Sequence, residues 1–265
     1  NKMAYENYLA KNPGISTDPV LMASVPAWSA YGQATPTVAA GRNQNGTGSV
    51  RCIEWNGNDM WVGTPGGGIW LGDYVNPTTY NWSPRTDGIS NLAITDVKIA
   101  PSNSSTIYAA TGAVGNASGF RSTGVLKSTD GSATWHSTGL TYAESGNDRI
   151  YRLRIHPNNS NVVWAATTTG LWRTQDGGET WNRCTFFTTE GGAQSPMNSA
   201  FFEILYRVGS TTTMYATGSA GTGAGYFYRS TDGGLTFLRI NRTNAGLPTT
   251  GGTRIQMAVA PSNAN

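Results

Sequence analysis

From residue 49 onward the chain is built of short apolar runs separated by glycine, proline and asparagine, and three kinds of run return in a fixed order. The first alternates apolar and polar positions, as in ITDVKIAPSN (94–103), IYRLRIHPNN (150–159) and RIQMAVAPSN (254–263). Alternation of period two suits a strand, and the Pro-Ser-Asn or Pro-Asn-Asn ending supplies turn chemistry. The second run ends in small residues: TIYAAT (106–111), VVWAAT (162–167) and TMYATG (213–218). The third is apolar and aromatic: GVLK (124–127), GLWR (170–173) and GYFYR (225–229). After each third run comes an octapeptide of one kind, STDGSATW (128–135), TQDGGETW (174–181) and STDGGLTF (230–237).

The order strand, turn, strand, loop, strand, Asp-Gly hairpin, strand repeats about every 50 residues, the period of a β-propeller blade. An earlier unit, SVRCIEW (49–55), DMWVGT (59–64), GGIWLG (67–72) and NWSP (81–84), has the strands without the octapeptide. The pattern therefore predicts an all-β chain: a β-propeller of four-stranded antiparallel blades at about 49–91, 92–147, 148–197 and 198–252, with the start of a fifth at 253–265. Residues 1–48 read as a lead-in, a short helix around AYENYLAKNP (4–13) followed by an extended linker. A chain that stops inside a blade is expected to be part of a longer protein.

Composition narrows the partners. Net charge is +3, and the basic residues, mostly arginine, are scattered, which argues against nucleic acid. No stretch approaches the roughly 18 apolar residues of a membrane span. The only cysteines, Cys52 and Cys184, and the only histidines, His136 and His156, are far apart in sequence. No metal, no cofactor and no Ser-His-Asp triad is expected from them.

Within each octapeptide the physical needs are local. Asp130, Asp176 and Asp232 each follow a hydroxyl residue (Ser128, Thr174, Ser230) by two positions, so the carboxylate can accept backbone N–H bonds in a tight hairpin. Glycines there, such as Gly178 and Gly234, permit positive φ. Thr134, Thr180 and Thr236 precede the ring of Trp135, Trp181 or Phe237, which can cover the turn. The expectation is a structural role, without catalysis or metal binding at these aspartates.

These octapeptides resemble the Asp-box, or BNR repeat, of sialidases, xyloglucanase-type hydrolases, sortilin-like propellers and photosystem II stability factors. Ser132 stands where that motif has glycine, and Phe237 where it has tryptophan. The resemblance implies a propeller whose boxes lie on the face away from the binding site. Strand direction then puts the other face at the loops between second and third strands and at the inter-blade connections. Three insertions fall there, at 113–123, 186–198 and 219–225. The phrase order WSAYG, GR, VRCIEW, VGTPGGGIW is similar to large secreted propeller proteins of Bacteroidota exported by type IX secretion. That likeness implies an extracellular or cell-surface location and further domains.

Enzymes of these families need groups this sequence supplies only in part. Arg51, Arg149 and Arg254 begin first strands, but the Phe-Arg-Ile-Pro signature of sialidases is absent. The xyloglucanase-type enzymes carry a catalytic Asp in a Thr-Asp-x-Gly-Gly setting, where this chain has Thr64-Pro65. A glycosidase needs two positioned carboxylates; Glu54, Asp96, Asp148 and Glu203 remain, with Asp96 and Glu203 the catalytic candidates. The reading favoured on this basis is a non-catalytic module that binds a glycan or protein through the loop face, with Phe120, Arg121, Arg149, Phe186 and Phe187 as binding candidates. The alternatives are a glycoside hydrolase using paired carboxylates on that face, and a scaffold subunit in an envelope assembly.

Overall fold

The computed structural model describes residues 49–112, 121–187, 194–196, 198–219, 225–240 and 255–259. The lead-in at 1–48, Phe120 with most of its insertion, Arg254 and most of the last strand segment lie outside the described residues.

Four sheets follow one another along the chain. The first holds β1 (Cys52–Asn56), β2 (Asp59–Gly63), β3 (Ile69–Asn76) and β4 (Thr79–Pro84), all antiparallel and in chain order. The second holds β5 (Ile94–Ala100), β6 (Asn103–Thr111), β7 (Gly124–Ser128) and β8 (His136–Thr141). The third holds β9 (Ile150–His156), β10 (Asn159–Thr167), β11 (Gly170–Thr174) and the short β12 (Asn182–Arg183). Next come β13 (Thr185–Phe187) and β14 (Gln194–Pro196), then β15 (Phe201–Tyr206), β16 (Met214–Ser219), β17 (Gly225–Ser230) and β18 (Thr236–Arg239). The last sheet is six-stranded rather than four-stranded, because β13 runs parallel to β18 and adds itself and β14 to the outer edge. Residues 186–198, expected as a free loop, are thus partly a hairpin. Residues 255–259, expected to open a fifth blade, carry no regular strand pairing, although the Ile255 carbonyl accepts a hydrogen bond from Thr217 at 2.7 Å.

First strands of successive sheets lie side by side, β1 by β5, β5 by β9 and β9 by β15. That adjacency, with each sheet stacked face to face on the next, is the blade arrangement of a β-propeller. Stacking explains the second run of the sequence. A middle strand sandwiched between two neighbouring blades buries both faces, so it reads as a continuous apolar stretch rather than an alternating one. All of Val162–Thr167 is buried, with Trp164 and Ala165 facing opposite neighbours.

The core is three slabs, one per interface. Between the first and second blades, Trp61, Ile69 and Leu71 meet Val97, Ile107 and Leu126. Between the second and third, Tyr108, Ala110 and Val125 meet Leu153, Ile155 and Val163. Between the third and fourth, Trp164 and Leu171 meet Ile204, Met214, Phe201 and Phe237. Cys184 lies in that third slab and Cys52 in the first; both are free thiols, pushed up to about 12 chiefly by burial.

Candidate functional site

The octapeptide hairpins close one end of blades two to four by a repeated bonding scheme. Thr174 Oγ1 donates to Asp176 Oδ1 at 2.7 Å and accepts from the Gly178 N–H at 2.9 Å. Asp176 in turn receives the Thr180 N–H at 3.0 Å and its hydroxyl at 2.5 Å. Ser128–Asp130–Thr134 and Ser230–Asp232–Thr236 repeat the scheme. Hydrogen bonds from Thr134, then Ser128, hold the Asp130 carboxyl down at about 2, and those from Thr180 and Thr174 lower Asp176 as well. For Asp232 partial burial pulls upward, but the bonds from Thr236 and Ser230 outweigh it and the net shift is also downward. These carboxylates are consumed by their own turns. Among the described residues no cluster of three His, Cys, Asp or Glu side chains could hold a metal ion.

Two details of the hairpins differ from the local picture. Ser132 has φ 77°, the left-handed region that glycine occupies in the other two boxes, where Gly178 and Gly234 have φ 99° and 72°. The rings do more than cover their turns. Trp135 donates to the Arg85 carbonyl of the preceding blade at 2.8 Å, and Phe237 is fully buried in the slab between blades three and four. Trp181 donates to the Gly178 carbonyl of its own turn at 3.1 Å.

The inner strands carry a different kind of polar group. One transverse row begins with Cys52, Asp96, Arg152 and Glu203, which occupy the same register place, opposite Gly63, Ala110, Ala166 and Thr217. Two residues on stand Glu54, Lys98 and Arg154. These groups join blade to blade. Lys98 Nζ lies 2.5 Å from Glu54 and 3.4 Å from Asp96; Asp96 Oδ2 accepts the Leu153 N–H of the next blade at 2.8 Å. Arg152 Nε donates to Glu203 Oε2 at 3.2 Å, and Arg154 Nε to the Ile204 carbonyl at 3.2 Å. Asp96 and Glu203 are both buried. Burial opposes charge on Arg152, yet Asp96 and then Glu203 outweigh it and raise its pKa; Lys98 behaves likewise under Asp96 and Glu54. Burial raises the Glu203 carboxyl, against the pull of Arg152. The sequence signal for this relay was visible as charges interrupting otherwise buried first strands, ITDVKIA, IYRLRIH and FFEILY, although their pairing was not.

At the other end lie the turns between second and third strands and the inter-blade loops. Thr64–Gly68 forms a tight turn: Gly67 N–H donates to Thr64 Oγ1 at 2.9 Å and Trp70 Nε1 to the Gly67 carbonyl at 2.7 Å. Exposed Arg121 binds its guanidinium to the Gly146 carbonyl and to Asn147 Oδ1, pinning the loop before β9. Arg149 is held by its backbone to Thr168. Asp148, half-buried beside it, accepts from Thr168 Oγ1 at 3.2 Å. Phe186, expected on the loop face, is instead 2% exposed, because β13 carries it into the third slab, where its ring stacks on Phe201 at 4.7 Å and on Phe237 at 5.5 Å. Phe187 is half-buried on the same strand. Burial between blades withdraws Phe186 from ligand stacking.

With fold and geometry in hand, the class is a β-propeller of four-stranded blades. No protein-family model matches the chain. It is similar to a xyloglucanase of Paenibacillus sp, 30% identical over 188 residues that cover 62% of this chain and 18% of that protein. A xyloglucanase of Hypocrea jecorina is 28% identical over 186 residues, 60% of this chain and 22% of the relative. Among solved structures, an ancestral GH74 enzyme superposes with a TM-score of 0.51 at 22% identity, covering 73% of this chain and 24% of that one. The GH74 xyloglucanase from Xanthomonas campestris gives 0.51 at 18% identity over 76% and 31%. At these identities the superpositions establish the fold. The chain spans less than a quarter of the length of these two curated relatives. Their names overturn the expectation of a non-catalytic binding module: the proteins this sequence matches are named as polysaccharide hydrolases.

Proposed function

We propose that this chain forms part of a secreted glycoside hydrolase acting on a polysaccharide of the xyloglucan class. The observation that carries the reading is the 30% identity with a xyloglucanase across 188 residues of the blade region. Its polymeric substrate would be met outside the cell. Among the described residues no helix is long and apolar enough to cross a membrane.

Glycoside hydrolysis works through two carboxyl groups, one protonating the leaving oxygen and the other acting as nucleophile or activating water. A proton donor benefits from a raised pKa. Glu203 meets that need, since burial keeps its carboxyl protonated to higher pH. Asp96 has one oxygen on the Leu153 N–H and the other near Lys98, so its part is to hold Lys98 and, by its charge, to favour the cationic Arg152 that pairs with Glu203. Pro65 removes the carboxylate that the resemblance offers in the Thr64 turn; Asp148 is a half-buried carboxylate at the same end.

The test measures reducing ends released from xyloglucan by the full-length gene product. Glu203→Gln should lower kcat by about 10²–10⁴-fold, the contribution of a positioned general acid, with the fold intact by circular dichroism. Absence of release from xyloglucan and other β-glucans would sink the hydrolase reading. Unchanged kcat in folded Glu203→Gln would remove Glu203 from the chemistry and leave the loop-end carboxylates to supply it.

A further inference from the structure

We propose that the joint between the third and fourth blades, at its hairpin end, holds a site for a small tetrahedral oxyanion, built from Arg154, His156, Arg173 and Tyr206. The inference does not depend on the hydrolase reading. It starts from the alternation along β9. Leu153 and Ile155 point into the slab shared with the second blade, so Arg154 and His156 turn toward the fourth. Arg154, Trp164 and Arg173 lie in one transverse row across β9, β10 and β11. Tyr206, on β15 of the next blade, packs against the slab that holds Trp164.

Ring contacts bring the four groups together. The Arg173 guanidinium carbon lies over the Trp164 ring, 5.3 Å from its centroid. The Tyr206 ring stands nearly perpendicular to Trp164 at 5.8 Å and to His156 at 6.0 Å. Arg154 Nε donates to the Ile204 carbonyl, two residues before Tyr206, at 3.2 Å. His156 Nδ1 accepts the Asn158 N–H at 3.1 Å, so the neutral imidazole carries its hydrogen on Nε2.

What gathers there is a surplus of donors. Arg173 Nε and Tyr206 Oη are both buried, and neither has a hydrogen-bond partner. A buried polar group left unpaired is costly, and a bound ion is one way of satisfying it. Arg154 and Arg173 only donate, and the acceptor nitrogen of His156 is taken, so the Tyr206 hydroxyl finds no acceptor among them. Charge points the same way. Glu203 is paired with Arg152, and Glu54 and Asp96 with Lys98, which leaves Arg154 and Arg173 without an ion pair among the described residues. The carboxylate felt by Arg173 is Asp232, whose two oxygens are bonded within its own turn by Ser230 and Thr236. Burial, and then the charge of Arg173, lowers the His156 pKa, and an anion between the two groups relieves the second of these. All four side chains are half-buried, so an ion reaches them from solvent. Their donors arrive from three strands, which suits a ligand with acceptor oxygens on every side, and guanidinium is the group best shaped for one.

Sulfate is the probe, because it keeps two negative charges across the pH range of the test. Calorimetric titration of the full-length gene product at constant ionic strength, with chloride as the control, should show one saturable site. Arg173→Met keeps a stack on Trp164 but loses the donors, and should weaken binding by about tenfold or more. Tyr206→Phe removes only the hydroxyl and should weaken it less. As His156 gains charge between about pH 7.5 and about pH 5.5 the affinity should rise, and His156→Gln should flatten that rise. Tighter binding of a sulfated glucose than of sulfate would assign an ester group carried on a sugar as the ligand; weaker binding would assign the free ion. Absence of saturable binding, with water sufficing for the donors, overturns the proposal. So does undiminished binding by folded Arg173→Met and Tyr206→Phe, or a pH profile unchanged in His156→Gln.

Discussion

The hairpin ends of the blades and their inner strands solve the same problem, satisfying polar groups beside a packed core, by opposite means. At the hairpins every bond of the scheme spans two to four residues, as in Thr174–Asp176 and Asp176–Thr180. Along the inner strands the partners are distant in sequence, 44 residues for Lys98 and Glu54 and 57 for Leu153 and Asp96. The hairpin carboxylates are solvent-exposed and bonded within their own turns, even though Trp135 and Phe237 reach the preceding blade; the inner relay centres on buried Asp96 and Glu203 and exists only when the blades are assembled. A local device stabilises a unit, whereas a distant one stabilises the joint between units.

That contrast can be broken from its costlier side first. Asp96→Ala leaves Lys98 with one acid partner and the Leu153 N–H without its acceptor in a buried joint. Removing one member of a buried ion pair costs about 3–5 kcal/mol, and chemical denaturation should show the loss. A value near zero would mean that water replaces the carboxylate and that the relay does not hold the joint. Next comes Thr174→Val, which keeps volume but removes the hydroxyl that serves Asp176 and the Gly178 N–H. The expected loss is about 1–3 kcal/mol, and it should add to that of Asp96→Ala without coupling, since the two schemes share no partner. Measured coupling would show that hairpin and joint are not separate systems. Smallest is Ser132→Gly. A non-glycine residue in the left-handed region carries a penalty of roughly 1–2 kcal/mol, part of which the greater freedom of unfolded glycine cancels. A gain of up to about 1 kcal/mol in thermal unfolding is expected; a loss would show that the Ser132 side chain contributes more than its backbone costs.

The same contrast explains what was legible in the sequence. Boxes and middle strands are local, so Asp130, Asp176 and Asp232 disclosed the blade repeat and VVWAAT a strand ending in small residues, while its burial on both faces came from the stacking of the blades. The relay of Glu54, Lys98, Asp96, Arg152 and Glu203 was written as single charges in first strands. Which charge meets which depends on how blades stack, and no residue spacing encodes that. Phe186 was misplaced for a related reason. Its stretch, rich in glycine and threonine further on, has loop composition, and the parallel pairing of β13 with β18 is a long-range event. The chemistry was the least legible part. Thr64-Pro65 lacks the carboxylate that the resemblance supplied, and comparison with named hydrolases, rather than any residue pattern, shifted the reading from binding to catalysis.

One consequence of the β13–β14 addition concerns how the molecule comes apart. In a stack of repeats each unit ordinarily touches its neighbour through one interface, and unfolding can begin at an end and stop between units. Here the chain leaving blade three continues as a strand of blade four, with Phe186 shared between the two. Blade four cannot detach without pulling apart both its face and its rim, so the third and fourth blades are bound into one cooperative unit. The other two junctions, between the first and second and between the second and third blades, have no such strap among the described residues, so the stack would open there before the third and fourth blades part.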